Sequence, residues 1–133
     1  MTPLQNSTIL AGRVLLAAIF VMAGFQKIGG FTGTQQYMEA FGIPGILLPL
    51  VILLELGGGL AIVAGFMTRW VSLALAGFTL VAGLIFHADF SDQMQTIMFL
   101  KNLGIAGGFL VLAAHGAGAW SLDARRGAVA VPA

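Results

Sequence analysis

Four apolar stretches dominate the chain, at about residues 9–28, 44–67, 71–87 and 97–115. Each approaches the ~20 residues that a membrane-spanning helix needs. Lipid offers backbone amides no outside partner, so stretches this long are expected as helices. Polar residues interrupt them at only a few places. Arg13 lies near the start of the first, and Lys101 and Asn102 lie in the opening turns of the fourth. In the second, Glu55 is the only charge in 24 residues. A helix through that run measures about 36 Å, with Glu55 near its middle.

The connections differ in character. Residues 68–70 read as a tight hairpin. Residues 29–43 are longer, and 34–41 within them have the pattern of a short amphipathic helix carrying Tyr37, Met38 and Phe41. Such a piece lies on the membrane surface or acts as a lid. Residues 88–96 carry Asp89 and Asp92. A tail from about 116 holds Trp120 at an expected interface, then Asp123, Arg125 and Arg126, and the end from about 128 reads as disordered. The fold class is therefore all-α: an integral membrane four-helix bundle forming one domain over residues 1–133. Gly57, Ala61 and Gly65 recur every four residues, as do Gly104 and Gly108, a spacing that lets membrane helices approach closely. Arg69, opening the third helix, joins these as a structural residue.

Composition agrees with a membrane protein. Hydrophobic residues make up 59% of the chain and charged residues 8%, against roughly 25% charged in soluble domains; mean hydropathy is +0.99. A net charge of +1 gives no sign of nucleic-acid binding. The absence of cysteine excludes disulfides and thiolate ligands from the chain itself. No Lys or Arg precedes the first apolar run and no clear cleavage site follows it, so it reads as a retained span rather than a signal peptide. Arg13, Arg69, Arg125 and Arg126 gather on one side of the predicted topology, with Lys27 and Lys101 on the other. That bias places both termini in the cytoplasm.

A carboxyl near the bilayer midplane costs at least ~2.5 kcal/mol on insertion scales and marks a candidate functional site. Helical spacing puts Glu55 on one face with Gly58, Gly59 and Ile62. Two roles are open to it: a proton carrier or ligand anchor, and a polar contact that ties helices together. By depth, Arg13, Lys101 and Asn102 are its expected partners, whereas Lys27 and His87 read as too far out for direct contact. For Arg13 and Lys101 the alternative is snorkelling to the nearer interface. His87, Lys27, Asp89, Lys101 and Asn102 could line an outward-facing polar mouth. His87 and His115 fall at opposite ends of the bundle and cannot form a close pair. No metal, haem, dinucleotide or phosphate-loop motif is present in the sequence.

Several short motifs occur in a recognisable order. Gly12-Arg13 opens the first helix, and Ala23-Gly24 and Lys27 close it. Gly42-Ile43-Pro44, Glu55-Leu56-Gly57-Gly58, Gly65 and Thr68-Arg69 follow. His87 ends the third helix, Lys101-Asn102-Leu103 opens the fourth, and Gly118 and Leu122-Asp123 close the pattern. Over residues 8–123 the chain resembles the DoxX family of small four-helix membrane proteins. The resemblance implies a bacterial inner-membrane protein. It implies a link to quinone-dependent oxidation, as in the subunit of thiosulfate:quinone oxidoreductase, or to resistance to quinones and oxidative stress. It also implies that Arg13, Lys27, Glu55, Arg69, His87, Lys101 and Asn102 matter together.

Three functions are consistent with this reading. The first is a redox-linked subunit binding a quinone or another lipophilic molecule, with Glu55 exchanging protons and a partner protein supplying electrons. The second is a small proton-coupled transporter, for which so short a chain implies a homodimer. The third is a non-catalytic scaffold for another membrane complex.

Overall fold

The computed structural model describes residues 2–127. The end read as disordered lies outside them. Helix α1 spans Pro3–Gly29, α2 Phe31–Ala40, α3 Gly45–Ala64, α4 Thr68–Phe86, α5 Gln93–His115 and α6 Leu122–Gly127. No strand occurs among the described residues. Four of these helices, α1, α3, α4 and α5, are long and apolar enough to cross a membrane, which makes this an all-α membrane fold. The short helix expected at 34–41 is present as α2.

Capping shifts the boundaries. Helix α1 starts well before residue 9 because Thr2 and Gln5 form a reciprocal capping box, with Pro3 in the first turn. Helix α5 starts at Gln93 because the Asp92 carboxylate accepts from the backbone N–H of Met94 and Gln95. Helix α3 stops at Gly65, whose φ of +71° is left-handed. The tight turn therefore occupies residues 65–67, and Thr68, Arg69 and Trp70, expected as the hairpin, already belong to α4.

Helix α3 is not uniform. It opens with a 3₁₀ turn at Gly45–Leu47, continues as α-helix over Leu48–Ile52, widens into one π-helical turn at Leu53–Gly57, and resumes over Gly58–Ala64. Glu55 sits in the middle of the widened turn. A π turn adds a residue and re-aims the side chains around it, and such turns concentrate at functional sites.

The spanning helices associate most extensively as two pairs, α1 with α3 and α4 with α5. Glycines set the register of the first. A Cβ on Gly24 would lie 2.8 Å from the Leu56 backbone nitrogen, and one on Gly59 would lie 2.8 Å from Val21 Cγ2. The two pairs meet where Gly58 faces Leu75 and Gly108 faces Leu16. Between them lies a core of Ala17, Phe20, Ile62, Leu75, Ala76, Ala106, Phe109 and Leu112, with Phe20 edge-on to Phe109 at 5.4 Å. Large apolar side chains such as Leu15, Phe25, Leu53, Leu84 and Val111 are exposed, as a lipid-facing surface requires.

The small-residue spacing read from sequence found some of the close contacts and not others: a Cβ on Gly65 would run into Ser121 and one on Gly108 would lie 3.0 Å from Leu16 Cδ2, whereas Gly24 and Gly59 stand outside that spacing. Gly57 and Gly104 are exposed, and nothing lies within 4 Å of a Cβ on Gly104. Gly24→Ala is expected to destabilise the bundle by about 1–3 kcal/mol, because backbone would have to separate. Gly104→Ala should change stability by less than ~1 kcal/mol. Thermal unfolding in lipid nanodiscs checks this, and equal midpoints for the two variants would contradict the Gly24–Leu56 register.

Candidate functional site

The bundle has two polar ends. The terminal end holds the start of α1 and the segment after α5, and the opposite end is covered by α2. A cavity of about 340 Å³ occupies the half beneath α2. Its walls are largely apolar, with Phe20 and Ala23 from α1, Val51 from α3, Phe78 and Ala82 from α4, and Ile105 from α5. The polar lining comes from Lys27, Glu55, Thr79, His87 and Asn102, with Thr34 and Tyr37 from α2. This volume lies in the low part of the ~300–1,000 Å³ range for small-molecule sites, and a few convergent polar groups on apolar walls are typical of them.

The charged feature of the cavity is an ion pair. Lys27 Nζ lies 2.8 Å from Glu55 Oε1, with side-chain exposures of 26% and 7%. The sequence reading placed Lys27 too far out for this contact, and the register explains the difference. Gly24 packs against Leu56, so Lys27 stands three residues, or about 4.5 Å, beyond that level, well within the reach of a lysine side chain.

Other polar groups are held from neighbouring helices. Asn102 Nδ2 donates to the Thr79 carbonyl at 3.1 Å, and the Thr79 hydroxyl donates to the Leu75 carbonyl at 2.7 Å. His87 Nδ1 pairs with Gln95 Oε1 at 3.1 Å. Donation from Nδ1 leaves Nε2 as the acceptor of the neutral ring. Helix α2 is fastened by aromatic contacts. Tyr37 stacks on Phe86 with centroids 5.4 Å apart, and Phe41 meets Phe86 edge-on at 5.0 Å. Because Thr34, Tyr37 and Met38 line the cavity, α2 covers it as a lid.

The DoxX family model matches residues 8–88. The chain belongs to the DoxX family. Among similar proteins, the Escherichia coli (strain K12) "Inner membrane protein YqjF" is 54% identical, covering 92% of this chain and 95% of its own. "Inner membrane protein YphA" of the same organism is 39% identical, covering 88% of this chain and 89% of its own. The Bacillus subtilis (strain 168) protein named "Putative oxidoreductase CatD" is 33% identical over 55% of this chain and 54% of its own. No solved structure matches significantly. This is thus a multi-pass inner-membrane protein of the DoxX type.

Not every polar residue singled out in this DoxX sequence reaches the cavity. Lys101 is exposed and is not part of the lining. Arg13 is 1% exposed at the terminal end and binds backbone instead of Glu55. Its Nε donates to Ile62 O at 3.0 Å, Nη2 to Val63 O at 2.6 Å, and Nη1 to Ala117 O and Trp120 O at 2.9 Å each. It therefore satisfies carbonyls at the end of α3 while holding the segment after α5 against the bundle. Arg69 Nη2 reaches the His115 carbonyl at 3.4 Å. The Asp123 carboxylate caps α4 through the N–H groups of Met67 and Thr68 at 2.7 and 2.8 Å. The Asp123 N–H donates to Gly65 O at 2.8 Å, and the Ala119 N–H donates to Asn6 Oδ1 at 3.4 Å. His115 stands at this end, opposite His87. No group of three or more His, Cys, Asp or Glu able to hold a metal occurs among the described residues.

Sequence reasoning missed two features. Thr79 was not singled out, because a lone threonine in an apolar helix carries no pattern. The Lys27–Glu55 pair was missed for want of the register, for which Gly24 was the available signal.

Proposed function

We propose that this protein is a redox-linked inner-membrane subunit or accessory protein that holds a lipophilic carbonyl compound of the quinone class in the cavity beneath α2. The observation that carries the reading is the Lys27–Glu55 ion pair, set in the wall of an otherwise largely apolar chamber. The chemistry of a quinone fits that setting. Its flat ring suits apolar and aromatic walls, and its carbonyl oxygens accept hydrogen bonds. Lys27 can donate to one of them, and the Asn102 amide stands on another wall of the same chamber.

Reduction of a quinone by two electrons consumes two protons. Glu55 is a buried group able to take and give one, and Lys27 shields its charge. His87, at the α2 end, can connect the pair to water. Electrons come from a partner redox protein. The name of the CatD relative supports an oxidoreductase link. The Arg13, Arg69, Arg125 and Arg126 side is cytoplasmic on this reading, with both termini inside, and the cavity opens toward the outer half of the membrane.

Quinone titration of the protein in nanodiscs, followed by calorimetry, tests the reading. Saturable binding is expected, and Glu55→Gln should keep the amount of folded protein while weakening binding at least tenfold and abolishing quinone-linked proton uptake. A wild-type protein that binds no quinone, or a Glu55→Gln variant indistinguishable from it, would overturn the proposal. Uptake into proteoliposomes driven by a pH gradient would point to transport instead.

A further inference from the structure

We propose that the cavity opens sideways into the membrane between α3 and α4, and that its ligand is a two-part molecule whose polar ring lies at the Lys27–Glu55 pair while a hydrocarbon tail passes out beside Val81. This rests on the reading of the cavity as a ligand site.

The faces of α4 carry the argument. Its buried residues are Thr68, Ser72, Leu75, Ala76, Thr79 and Gly83. A second set, Phe78, Val81, Ala82 and Ile85, lines the cavity. Their spacing of i, i+3, i+4 and i+7 puts them on one face. That face is wholly apolar, and it does not end inside the protein: Val81 lines the cavity and is also 54% exposed. A continuous apolar path therefore leads from the chamber to the lipid-facing surface.

The flank is fixed by the neighbouring helices. Helix α4 packs on α5 where Gly83 meets Asn102. The helical wheel places Phe78, Ala82 and Ile85 on the other side of the core stripe, toward α3. Helices α3 and α4 approach each other at Gly58 and Leu75, nearer the terminal end. In the half beneath α2, their residues Val51 and Val81 line the cavity.

The other directions are less open to a hydrocarbon chain. The α2 end is covered by the stacked Tyr37, Phe41 and Phe86 rings. Phe20, which lines the cavity, also belongs to the core beneath it. The α1 wall has one comparable residue, Ile19, which lines the cavity and is 54% exposed, but it shares a face with Ala23 and Lys27 at i, i+4 and i+8, so that route passes the charge. A hydrocarbon chain leaves by the apolar gap, where it stays in contact with lipid.

The test compares a decyl-tailed benzoquinone with its tail-free parent, each titrated into nanodisc-embedded protein. Val81→Trp places a bulky group at the opening. It should weaken binding of the tailed compound at least tenfold and leave the tail-free parent within about twofold of wild type. Val81→Phe should give the same ordering with a smaller effect. Leu84→Trp is the control, because Leu84 is exposed on the same helix and is not part of the lining; it should change neither affinity. Unaltered binding of the tailed compound to both Val81 variants, or an equal loss for both compounds, would overturn the side opening while leaving the ligand site standing. A wild-type protein that binds neither compound would remove the ligand site, and the opening with it.

Discussion

Arg13→Met is expected to destabilise the protein by about 4 kcal/mol, at ~1–3 kcal/mol for each buried acceptor left without a donor. The carbonyls that depend on Arg13 are those of Val63, Ala117 and Trp120. Ile62 O is less exposed to the loss, because it also accepts from the Gly65 N–H. A lysine cannot reproduce the arrangement, since an ammonium is a single point of donors and a guanidinium is a planar fork. Arg13→Lys should therefore recover only part of the stability. Thermal unfolding in nanodiscs gives the magnitude, and limited proteolysis of the segment after α5 shows where the fold opens first. Ligand affinity of the protein that remains folded should be unchanged, because Arg13 lies outside the cavity. A variant as stable as wild type would mean that the carbonyls of Val63, Ala117 and Trp120 find other donors.

The contrast between Arg13 and Glu55 shows what the sequence could reveal. Both are charges in apolar stretches, and both stood out for that reason. The four spans were legible because lipid leaves a long apolar segment little choice but helix. Their ends moved by several residues where Thr2, Asp92 and Gly65 formed caps, which apolar length alone does not reveal. Glu55 was legible as a buried site because nothing else charged accompanies it. Arg13 was grouped with it by depth, but depth does not say which way a side chain turns. Its partners come from the end of α3 and from the returning segment around Ala117 and Trp120, and no pattern in the sequence announces that return.

Lys27 presented the opposite difficulty. Depth counted from the helix end set it apart from Glu55, whereas the packing of α1 on α3 brings them together. One glycine decides this. Gly24 admits Leu56 so closely that the helices fix their register there, and the lysine one turn further along meets the carboxylate. Asn102, by contrast, reached the cavity at the level its position suggested, and Lys101 beside it on α5 points elsewhere, since adjacent helical residues face different directions.

Lys27→Met should then be the most damaging single change at the cavity, costing roughly 3–5 kcal/mol, the range for removing one partner of a buried ion pair. Glu55→Gln should cost markedly less. The asymmetry follows from exposure: the Lys27 side chain is 26% accessible near the end of α1 and can turn toward the interface, whereas that of Glu55 is 7% accessible and cannot leave. The double variant Lys27→Met/Glu55→Gln should regain most of the stability lost in Lys27→Met, because it strands no charge. The cycle of four proteins, measured by thermal unfolding in nanodiscs, isolates the pair from the packing of each side chain. Quinone affinity should follow a different order and stay low in all three variants, the stable double variant included. Recovery of stability without recovery of binding would separate a site from a structural tie. Recovery of both in the double variant would leave the ion pair with a purely structural part in this fold.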